Sequence, residues 1–520
     1  MSLEAIDSKL AELRSTLENN SRLLPDLVPH WSDAPDIIDD LVRTLFCQAR
    51  AWLEELHRGS QDIFQAIQCV LDAFVDFQRD RVVQVPNLRE LQRVCETFFQ
   101  YLKDISEQFL FVHTNRITGL ICALSNTEEA VFSAWWNSVI ATTQQFIRCT
   151  LIYEEQPGPI IRKERIFEGK VRWLIGSQLD FNVVDGLNGR VSILHEHETN
   201  KLMEGKFVDH QDKFSVQKNE VVFEVNPNME VYAKFSKCKI MSISRNTGRN
   251  IDKKIDEKYA VVFRTNIVWN GQELEISVIS LPICLTTHMT QDEYCYAKIM
   301  WDYAFADKNR SAFVVPEEVC WIDFANALSR MWTSWVGCPL NDQHLAYLYD
   351  IAFDELWYGN VIKTRPVSWN QITKSYLKGM NFTFWSWFYN NMKLIKDKYG
   401  DHWQNNHIYG FIHREHAHAL LKSLPIGTFL LRFSKSMIGN MSIDVVLANS
   451  QVSSCGPFDS SSFETSLNSS LTTFNGFIRN FVNLKFLHPN IPKNIAFPTQ
   501  NDVTPPQGYV PLRPKIIIEL

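Results

Sequence analysis

The first 150 residues carry a helical pattern of apolar side chains. Apolar residues recur at spacings of three and four, which place them on one face of an α-helix. The clearest series are Leu3, Ile6, Leu10, Leu13 and Leu17, and then Ile37, Ile38, Leu41, Leu45, Ala49 and Leu53. Further helical stretches cover residues 61–78, 88–122 and 127–150. The pattern predicts an antiparallel bundle of four or five helices over residues 1–150, which is either a packing scaffold or a docking surface.

A different pattern begins at the helix-breaking segment Gln-Pro-Gly-Pro, residues 156–159. Short runs rich in β-branched and aromatic residues follow, and Gly, Asn and Asp separate them. RIFEGKVRWLIG, EVVFEV and YAVVFRT are examples. Runs of this length and spacing are typical of a β-sandwich or barrel, which we expect over roughly residues 151–290.

Tryptophan is concentrated in the next part of the chain, on mostly helical patterns. The residues are Trp301, Trp321, Trp332, Trp335, Trp357, Trp369, Trp385, Trp387 and Trp403. Indole rings usually supply large buried packing areas. This part is therefore interpreted as a compact helical connector between its neighbours.

The C-terminal part alternates between helical and strand patterns. A helix is predicted over residues 413–424, strands over 428–434 and 441–447, a serine-rich loop over 449–470 and a helix near 474–481. From about Pro498 to Leu520 the prolines and turn residues predict an extended tail. His413, His416 and His418 are too irregularly spaced to indicate a metal site, and we expect them on the exposed face of their helix.

Composition narrows the possible functions. The 520 residues suffice for about three or four domains, and the net charge of −7 restricts any nucleic-acid surface to a local patch. The 11 cysteines are scattered singly, which indicates a reducing compartment and no zinc site. No apolar run approaches the roughly 18 residues needed to span a bilayer, so no membrane insertion is expected. Without a P-loop, kinase glycine loop or nucleophile elbow, we predict neither an enzyme nor a cofactor.

A candidate anion site lies in the segment GTFLLRFSKS. Its alternation puts Phe429, Leu431 and Phe433 on one strand face and Leu430, Arg432 and Ser434 on the other. An arginine in so apolar a strand needs a compensating anion. The following turn, with its hydroxyls, ammonium and backbone amides, and Arg414 in the first turn of the preceding helix suit a phosphate dianion. The alternative is that Arg432 pairs with an internal carboxylate such as Asp444 on the next strand.

The longer segment GFIHREHAHALLKSLPIGTFLLRFSKS resembles the Src-homology-2 (SH2) domain of the signal transducer and activator of transcription (STAT) family. NFTFWSWFYNNMKLIKDKYGDHW resembles the end of the STAT linker domain, and FIRNFVNLKFLHPNIPKNIAF resembles the end of its SH2 region. The resemblance implies a multidomain α+β protein. Its expected domains are a helical bundle or coiled coil over 1–150, an immunoglobulin-like DNA-binding domain over 151–315, a helical linker over 316–400, an SH2 domain over 401–497 and a phosphotyrosine tail over 498–520.

The resemblance implies roles for the residues of the candidate anion site. Arg432 takes the position of the phosphotyrosine-binding arginine, and Arg414 that of a second basic contact. Ser434, Lys435 and Ser436 take the positions of the phosphate-binding loop. Lys435 stands where STAT proteins commonly have glutamate, which strengthens the attraction for phosphate.

Tyr509, in QGYVPLRP, resembles the single tyrosine that the family phosphorylates after its SH2 domain. The alternative is an aromatic side chain packed on its own domain. A tyrosine kinase, phosphotyrosine peptides and receptors are then the expected partners. Reciprocal exchange of two phosphorylated tails would give a homodimer, or a heterodimer with a similar chain, and Ile516, Ile517 and Ile518 could add a strand to a sheet edge.

DNA binding is implied by LIYEEQPGPI and LPICLTTHMTQDEYCYAKIMW, which resemble the two ends of the STAT DNA-binding domain. Candidate contacts to a palindromic promoter element are loop residues of the β-domain, with His288 where the family tends to have a base-contacting asparagine. They are Arg162, Lys163, Arg165, Lys170, Arg245, Arg249, Asn250, Lys253, Lys254 and His288.

Two departures from the family pattern affect the expected activity. The chain starts almost directly in the bundle and ends soon after Tyr509, so an N-terminal association domain and a transactivation segment are expected to be missing. The function implied is a transcription factor of cytoplasm and nucleus, activated by tyrosine phosphorylation. The alternative is an SH2 adaptor or scaffold that has lost DNA binding, and the sign of regulation stays open.

Overall fold

The computed structural model describes residues 2–21, 35–80, 87–117, 126–179, 186–204, 214–243, 257–306, 313–355, 364–448, 450–459 and 474–499. The chain divides into two compact units. The first comprises Met1–Asp292 and Lys308–Phe313, and the second comprises Glu293–Asp307 and Val314–Leu520. None of the described helices combines the length and apolar character needed to cross a bilayer.

The first unit begins with four described helices, α1 to α4. They cover Leu3–Ser21, Pro35–Asp80, Leu88–Ile117 and Asn126–Cys149. The second runs for 46 residues, so the apolar series at 37–53 and the stretch at 61–78 belong to one helix. The predicted apolar positions Ile6, Leu10 and Leu17 are buried.

Two antiparallel sheets follow the bundle. Their strands are β1 (Leu151–Glu155), β3 (Ile166–Trp173), β4 (Asn188–His195), β5 (Val216–Gln217), β6 (Glu220–Val222), β7 (Glu224–Val225), β8 (Val231–Ile240), β9 (Tyr259–Trp269) and β10 (Gln272–Ile279). One sheet has the order β1-β3-β8-β5 with β7 also on β8, and the other has the order β10-β9-β4-β6. The short helix α5, Glu196–Met203, follows β4.

One hydrophobic core serves the bundle and both sheets. It runs without interruption from Phe98 and Phe146 of the helices to Trp173, Phe235 and Phe263 of the strands. The indole Nε1 of Trp173 donates to the Ile147 carbonyl at 3.2 Å, which fixes the last bundle helix to β3. A separate parallel pair, β2 (Ile160–Arg162) with β11 (Cys284–Thr286), joins the beginning and the end of the β-domain.

The second unit begins with helices, most of which carry the tryptophans singled out in the sequence, except Trp357, which lies outside the described residues. They are α6 (Asp292–Phe305, whose first residue belongs to the first unit), α7 (Trp321–Val336), α8 (Asp342–Phe353), α9 (Trp369–Thr373), α10 (Phe384–Leu394) and α11 (Gly400–Gln404), with a π-helical turn at Ile395–Tyr399. A two-stranded sheet of β12 (Glu318–Cys320) and β13 (Pro366–Ser368) lies among them. The prediction of mostly helical structure is confirmed for this part.

A five-stranded sheet completes the second unit, in the order β16-β15-β14-β17-β18. Its strands are β14 (Thr428–Phe433), β15 (Met441–Val446), β16 (Val452–Phe458), β17 (Phe486–Leu487) and β18 (Ile491–Pro492), and its helices are α12 (Arg414–Leu421), α13 (Phe474–Asn480) and α14 (Lys493–Ala496). The expectation of a loop over residues 449–470 is wrong at Val452–Phe458. These residues pair with β15, and polar Ser453 and Ser454 hid the strand from a hydrophobic pattern.

The two faces of β14 lie in different clusters, as the alternation predicted. Phe429, Leu431 and Phe433 belong to the large core that also contains the buried tryptophans. Leu430 belongs to a small cluster with Leu421 of α12. The helical connector and the C-terminal sheet therefore share one core, and the opposite face of β14 is left for the candidate anion site.

Candidate functional site

Arg432 lies on β14 and points to the face of the sheet that carries α12. Its backbone is opposite Ser442 of β15, so Asp444, two residues farther on, lies diagonally across on the same face. The Nε of Arg432 donates to Oδ2 of Asp444 at 2.6 Å. Arg432 is 8% exposed and Asp444 is 0% exposed. The pairing with an internal carboxylate, left open by the sequence, is thus present in the structure.

The loop after β14 is closed by hydrogen bonds around Ser434. The backbone N–H of Ser434 donates to the Asn440 carbonyl at 2.8 Å, and the backbone N–H of Met437 donates to the Ser434 hydroxyl at 3.1 Å. The hydroxyls of Ser434 and Ser436 are 3.4 Å apart. Ser434 is buried, Lys435 is half-buried and Ser436 is exposed. These contacts hold two hydroxyls and an ammonium group in a loop of fixed form next to Arg432.

The first turn of α12 supplies a second cation and a carboxylate. Arg414 is the first residue of this helix and is exposed. The pKa of Glu415 is lowered from its ordinary value, first by a hydrogen bond from its own backbone N–H and then by the charges of His413, Arg414 and Arg432. The charges of Arg414 and Arg432 therefore both act on the carboxylate in the first turn of α12.

Aromatic rings support the site from the core side of β14. The Nε1 of Trp387 donates to the Ser434 carbonyl at 2.8 Å. Gly410 has a backbone φ of +75° and forms a bridge with Arg432. A Cβ at this position would lie 2.5 Å from Trp403 and 2.9 Å from Phe433. The glycine is required both by the backbone conformation and by this close approach.

The histidines of α12 are not all on an exposed face, and this expectation is wrong for two of them. His413 contacts Asp350 through Nε2 at 2.9 Å, and His418 contacts Ser454 through Nε2 at 3.0 Å. Both are half-buried, whereas His416 is exposed. Packing of α12 against the sheet and against α8 turns their rings inward. Within the described ranges no cluster of three or more potential metal ligands is present.

Carboxylates form ion pairs with three of the four cations predicted to contact DNA near the start of the β-domain. Arg162 pairs with Asp292 at 2.6 Å, and Lys163 pairs with Glu164 at 3.1 Å. Lys170 pairs with Glu154 at 2.8 Å and also lies over the Tyr232 ring. Arg165 is exposed, and its side chain forms no ion pair with the residues that the structure describes.

The parallel pair of β2 and β11 brings distant DNA candidates to one end of the β-domain. Arg162 is in register with Thr286, and the backbone N–H of Lys163 donates to the Thr286 carbonyl at 2.9 Å. His288, exposed, follows two residues later. The remaining DNA candidates, Arg245, Arg249, Asn250, Lys253 and Lys254, lie outside the described residues, and so does the predicted phosphorylation site, Tyr509.

Three family models match the chain. The DNA binding domain of STAT proteins matches residues 155–286, the linker domain of signal transducers and activators of transcription matches residues 308–388, and the SH2 domain matches residues 407–472. A DNA-binding, a linker and an SH2 domain in this order define a multidomain α+β protein, so the predicted fold class is confirmed. This chain belongs to the STAT family, as the sequence resemblance indicated.

A relative from Drosophila melanogaster, "Signal transducer and transcription activator", is 30% identical over 385 residues. The alignment covers 72% of this chain and 49% of the relative, so the chain spans about half of that protein's length. Among solved structures, the S-layer protein rSbsC(31-844) aligns over 55% of this chain and 32% of its own, with 10% identity and a TM-score of 0.10. A TM-score this low has no bearing on the fold.

Sequence reasoning missed several groups that shape the anion site. His418, Ser454 and Trp387 all contact its residues, yet none lies close to Arg432 in the sequence. One signal was available for Ser454. Once β16 is paired with β15, Ser454 lies opposite Asp444, and a serine there can donate to the carboxylate.

Proposed function

We propose that this chain is a signal transducer and transcription factor whose SH2 domain binds phosphotyrosine through Arg432. The observation that carries this proposal is the position of Arg432, between the closed loop after β14 and the first turn of α12. The terminal nitrogens of the guanidinium form no hydrogen bond with the described residues, so they are available for two charge-assisted hydrogen bonds to phosphate. Arg414, Ser434, Lys435 and Ser436 supply the further donors.

Activation follows from a ligand on the same chain. A tyrosine kinase phosphorylates Tyr509, and each phosphorylated tail binds the SH2 domain of a second copy or of a similar chain. Two linked contacts bind far more tightly than one, because the second forms at high local concentration. The dimer then moves from the cytoplasm to the nucleus and binds a palindromic DNA element with its β-domains.

The pocket is tested with substitutions of Arg432 that take account of its buried ion-pair partner, Asp444. Arg432→Ala alone would leave Asp444 buried without a countercharge, which typically destabilises a protein by about 3–5 kcal/mol. Arg432→Lys keeps the charge but loses the planar fork, and we expect phosphotyrosine-peptide affinity to fall at least about tenfold. The double variant Arg432→Ala/Asp444→Ala should lose binding altogether and keep its fold. Calorimetric titration with circular dichroism as control measures both, and unchanged affinity of the folded double variant would refute the pocket.

The dimer is tested with kinase-treated protein. Light scattering should give twice the mass for the phosphorylated wild type and the monomer mass for Tyr509→Phe. A phosphorylated wild type that remains monomeric at micromolar concentration contradicts the exchange.

One observation favours a second candidate, an SH2 adaptor without DNA binding. The ion pairs of Arg162, Lys163 and Lys170 reduce the positive charge that the β-domain offers to phosphates. Retention of palindromic duplex DNA by the phosphorylated dimer decides between the two. Retention supports the transcription factor, and a tight dimer that retains no duplex supports the adaptor.

A further inference from the structure

Asp444 is a fully buried carboxylate at the base of the candidate phosphotyrosine pocket. Its Oδ2 accepts from Nε of Arg432, and its Oδ1 accepts from the Ser454 hydroxyl. The Nε2 of His418 is 3.5 Å from the same Oδ1. Groups from three elements, β14, β16 and α12, therefore face this one carboxylate from within the pocket.

The charge of Asp444 opposes a phosphate that binds Arg432. A phosphate bound to the terminal nitrogens of Arg432 would share one guanidinium group with the carboxylate of Asp444. The two anions would therefore be close together. In this buried setting, two like charges repel much more strongly than in water. Glu415, in the first turn of α12, adds a second negative charge that is coupled to Arg432. Arg414 and Lys435 are the exposed and half-buried cations that compensate.

We propose that Asp444 is a built-in counter-anion of Arg432 that weakens the binding of an isolated phosphotyrosine. This inference rests on the proposed phosphotyrosine binding of the same site. A pocket with weakened phosphotyrosine affinity retains only ligands that make a second, linked contact with the protein. The second contact forms at high local concentration and so restores the affinity that a single pocket lacks. Reciprocal exchange between two phosphorylated chains meets that condition, whereas a single peptide does not. Asp444 thereby sets the selectivity for the paired ligand over the single one.

The test removes the negative charge and keeps the hydrogen bonds. The side-chain oxygen of Asp444→Asn can still accept from Arg432, so the arginine keeps its orientation. We expect the affinity for a monovalent phosphotyrosine peptide to rise roughly tenfold or more, since repulsion is lost and Arg432 is no longer neutralised. The full chain is titrated by calorimetry. Asp397→Asn, which removes an exposed carboxylate from the π-helical turn of the same unit, is the control for net charge and should leave the affinity unchanged.

A second ligand separates repulsion from rearrangement of the pocket. Sulfotyrosine carries one negative charge, whereas phosphotyrosine carries nearly two at neutral pH. If Asp444 acts by repulsion, Asp444→Asn should strengthen binding of the sulfotyrosine peptide by only about threefold, roughly half the effect on a logarithmic scale. NMR titration measures this weaker binding. Should Asp444→Asn lose the thermal transition of the wild type, Asp444→Ser, which also removes the charge and keeps a polar side chain, replaces it.

The outcomes distinguish this inference from the proposed function. If the wild type binds the phosphopeptide and the folded Asp444 variants bind it equally or more weakly, Asp444 only orients Arg432 and the inference is overturned. Equal gains for both peptides overturn it as well, because the effect is then independent of ligand charge. If neither the wild type nor any folded Asp444 variant binds phosphopeptide, the proposed function itself fails.

Discussion

The indole of Trp387 is hydrogen-bonded to the backbone of Ser434, with 2.8 Å between Nε1 and the carbonyl oxygen. Trp387 belongs to α10 of the helical connector, and Ser434 begins the loop after β14. This hydrogen bond is buried. Without it, the Ser434 carbonyl would be left without a hydrogen-bond partner, because water does not reach it. A helix outside the SH2 sheet thus holds the loop that the proposed phosphate contacts.

We predict that Trp387→Phe weakens phosphopeptide binding as well as stability. Loss of the buried hydrogen bond should lower the free energy of unfolding by about 1–3 kcal/mol and let the loop move. Trp385→Phe is the matched control, because Trp385 is also buried and its Nε1 donates to a carbonyl, that of Glu293, at 2.7 Å. Denaturant unfolding should show similar losses for both variants, and calorimetry should show weaker binding for Trp387→Phe alone. Equal binding losses would indicate a general packing effect.

Gly410→Ala should destabilise the second unit strongly. The new methyl group would meet Trp403 at 2.5 Å and Phe433 at 2.9 Å, in a backbone conformation with φ of +75°. Overpacking and left-handed strain together should reduce the free energy of unfolding by about 2–4 kcal/mol.

Gly379→Ala is the control that separates backbone strain from the steric contacts at Gly410. Its φ of +74° is nearly the same, but a Cβ there has nothing within 4 Å. We expect a loss of only about 1 kcal/mol in chemical denaturation. Equal losses for the two variants would show that the contact with Trp403 and Phe433 contributes nothing.

His344 should make stability depend on pH. Its Nε2–H donates to the Tyr409 carbonyl at 3.2 Å, its Nδ1 faces the Asn341 N–H at 3.5 Å, and burial lowers its pKa to about 4. The folded state therefore keeps His344 neutral while the unfolded chain takes up a proton near its ordinary pKa of about 6.5. Stability is full above pH 6.5 and falls as the pH decreases towards 4, by about 2 kcal/mol after allowance for partial exposure.

The variant His344→Gln, which does not titrate, should show a shallower loss of stability over the same range. Urea unfolding at several pH values between 4 and 7.5 measures the difference. His407, whose pKa burial also lowers to about 4, remains in both proteins and contributes the slope that they share. Identical slopes in the two proteins would contradict the assignment to His344.

Arg165 and Lys170 should differ in their effect on DNA binding. Arg165 is exposed in the turn after β2, whereas Lys170 is already paired with Glu154. A free cation releases more counterions when it contacts a phosphate. In the phosphorylated dimer, Arg165→Ala should therefore reduce the slope of log affinity against log salt by about 0.9 for each site, and Lys170→Ala by clearly less. Fluorescence anisotropy at several salt concentrations measures both slopes, and a larger change for Lys170→Ala would contradict the role of the ion pair.

The sequence by itself determined the local structure and the candidates. The spacing of apolar residues located the helices of the bundle, and alternation placed Phe429 and Leu430 on opposite faces of β14, because both patterns depend only on the repeat of the backbone. An arginine within that apolar strand was enough to single out Arg432. The strand Val452–Phe458 escaped, since Ser453, Ser454 and Gly456 interrupt its apolar residues and none of its positions is fully buried, so it shows no alternation.

Only the tertiary structure decided which distant groups surround these candidates. The register of β14 with β15 put Asp444 against Arg432, and the pairing of β15 with β16 added Ser454. The parallel pairing of β2 with β11 brought Lys163 next to the segment that leads to His288. These relationships join residues far apart in the chain. They depend on the register of strands and the packing of helices, which no local repeat of side chains specifies.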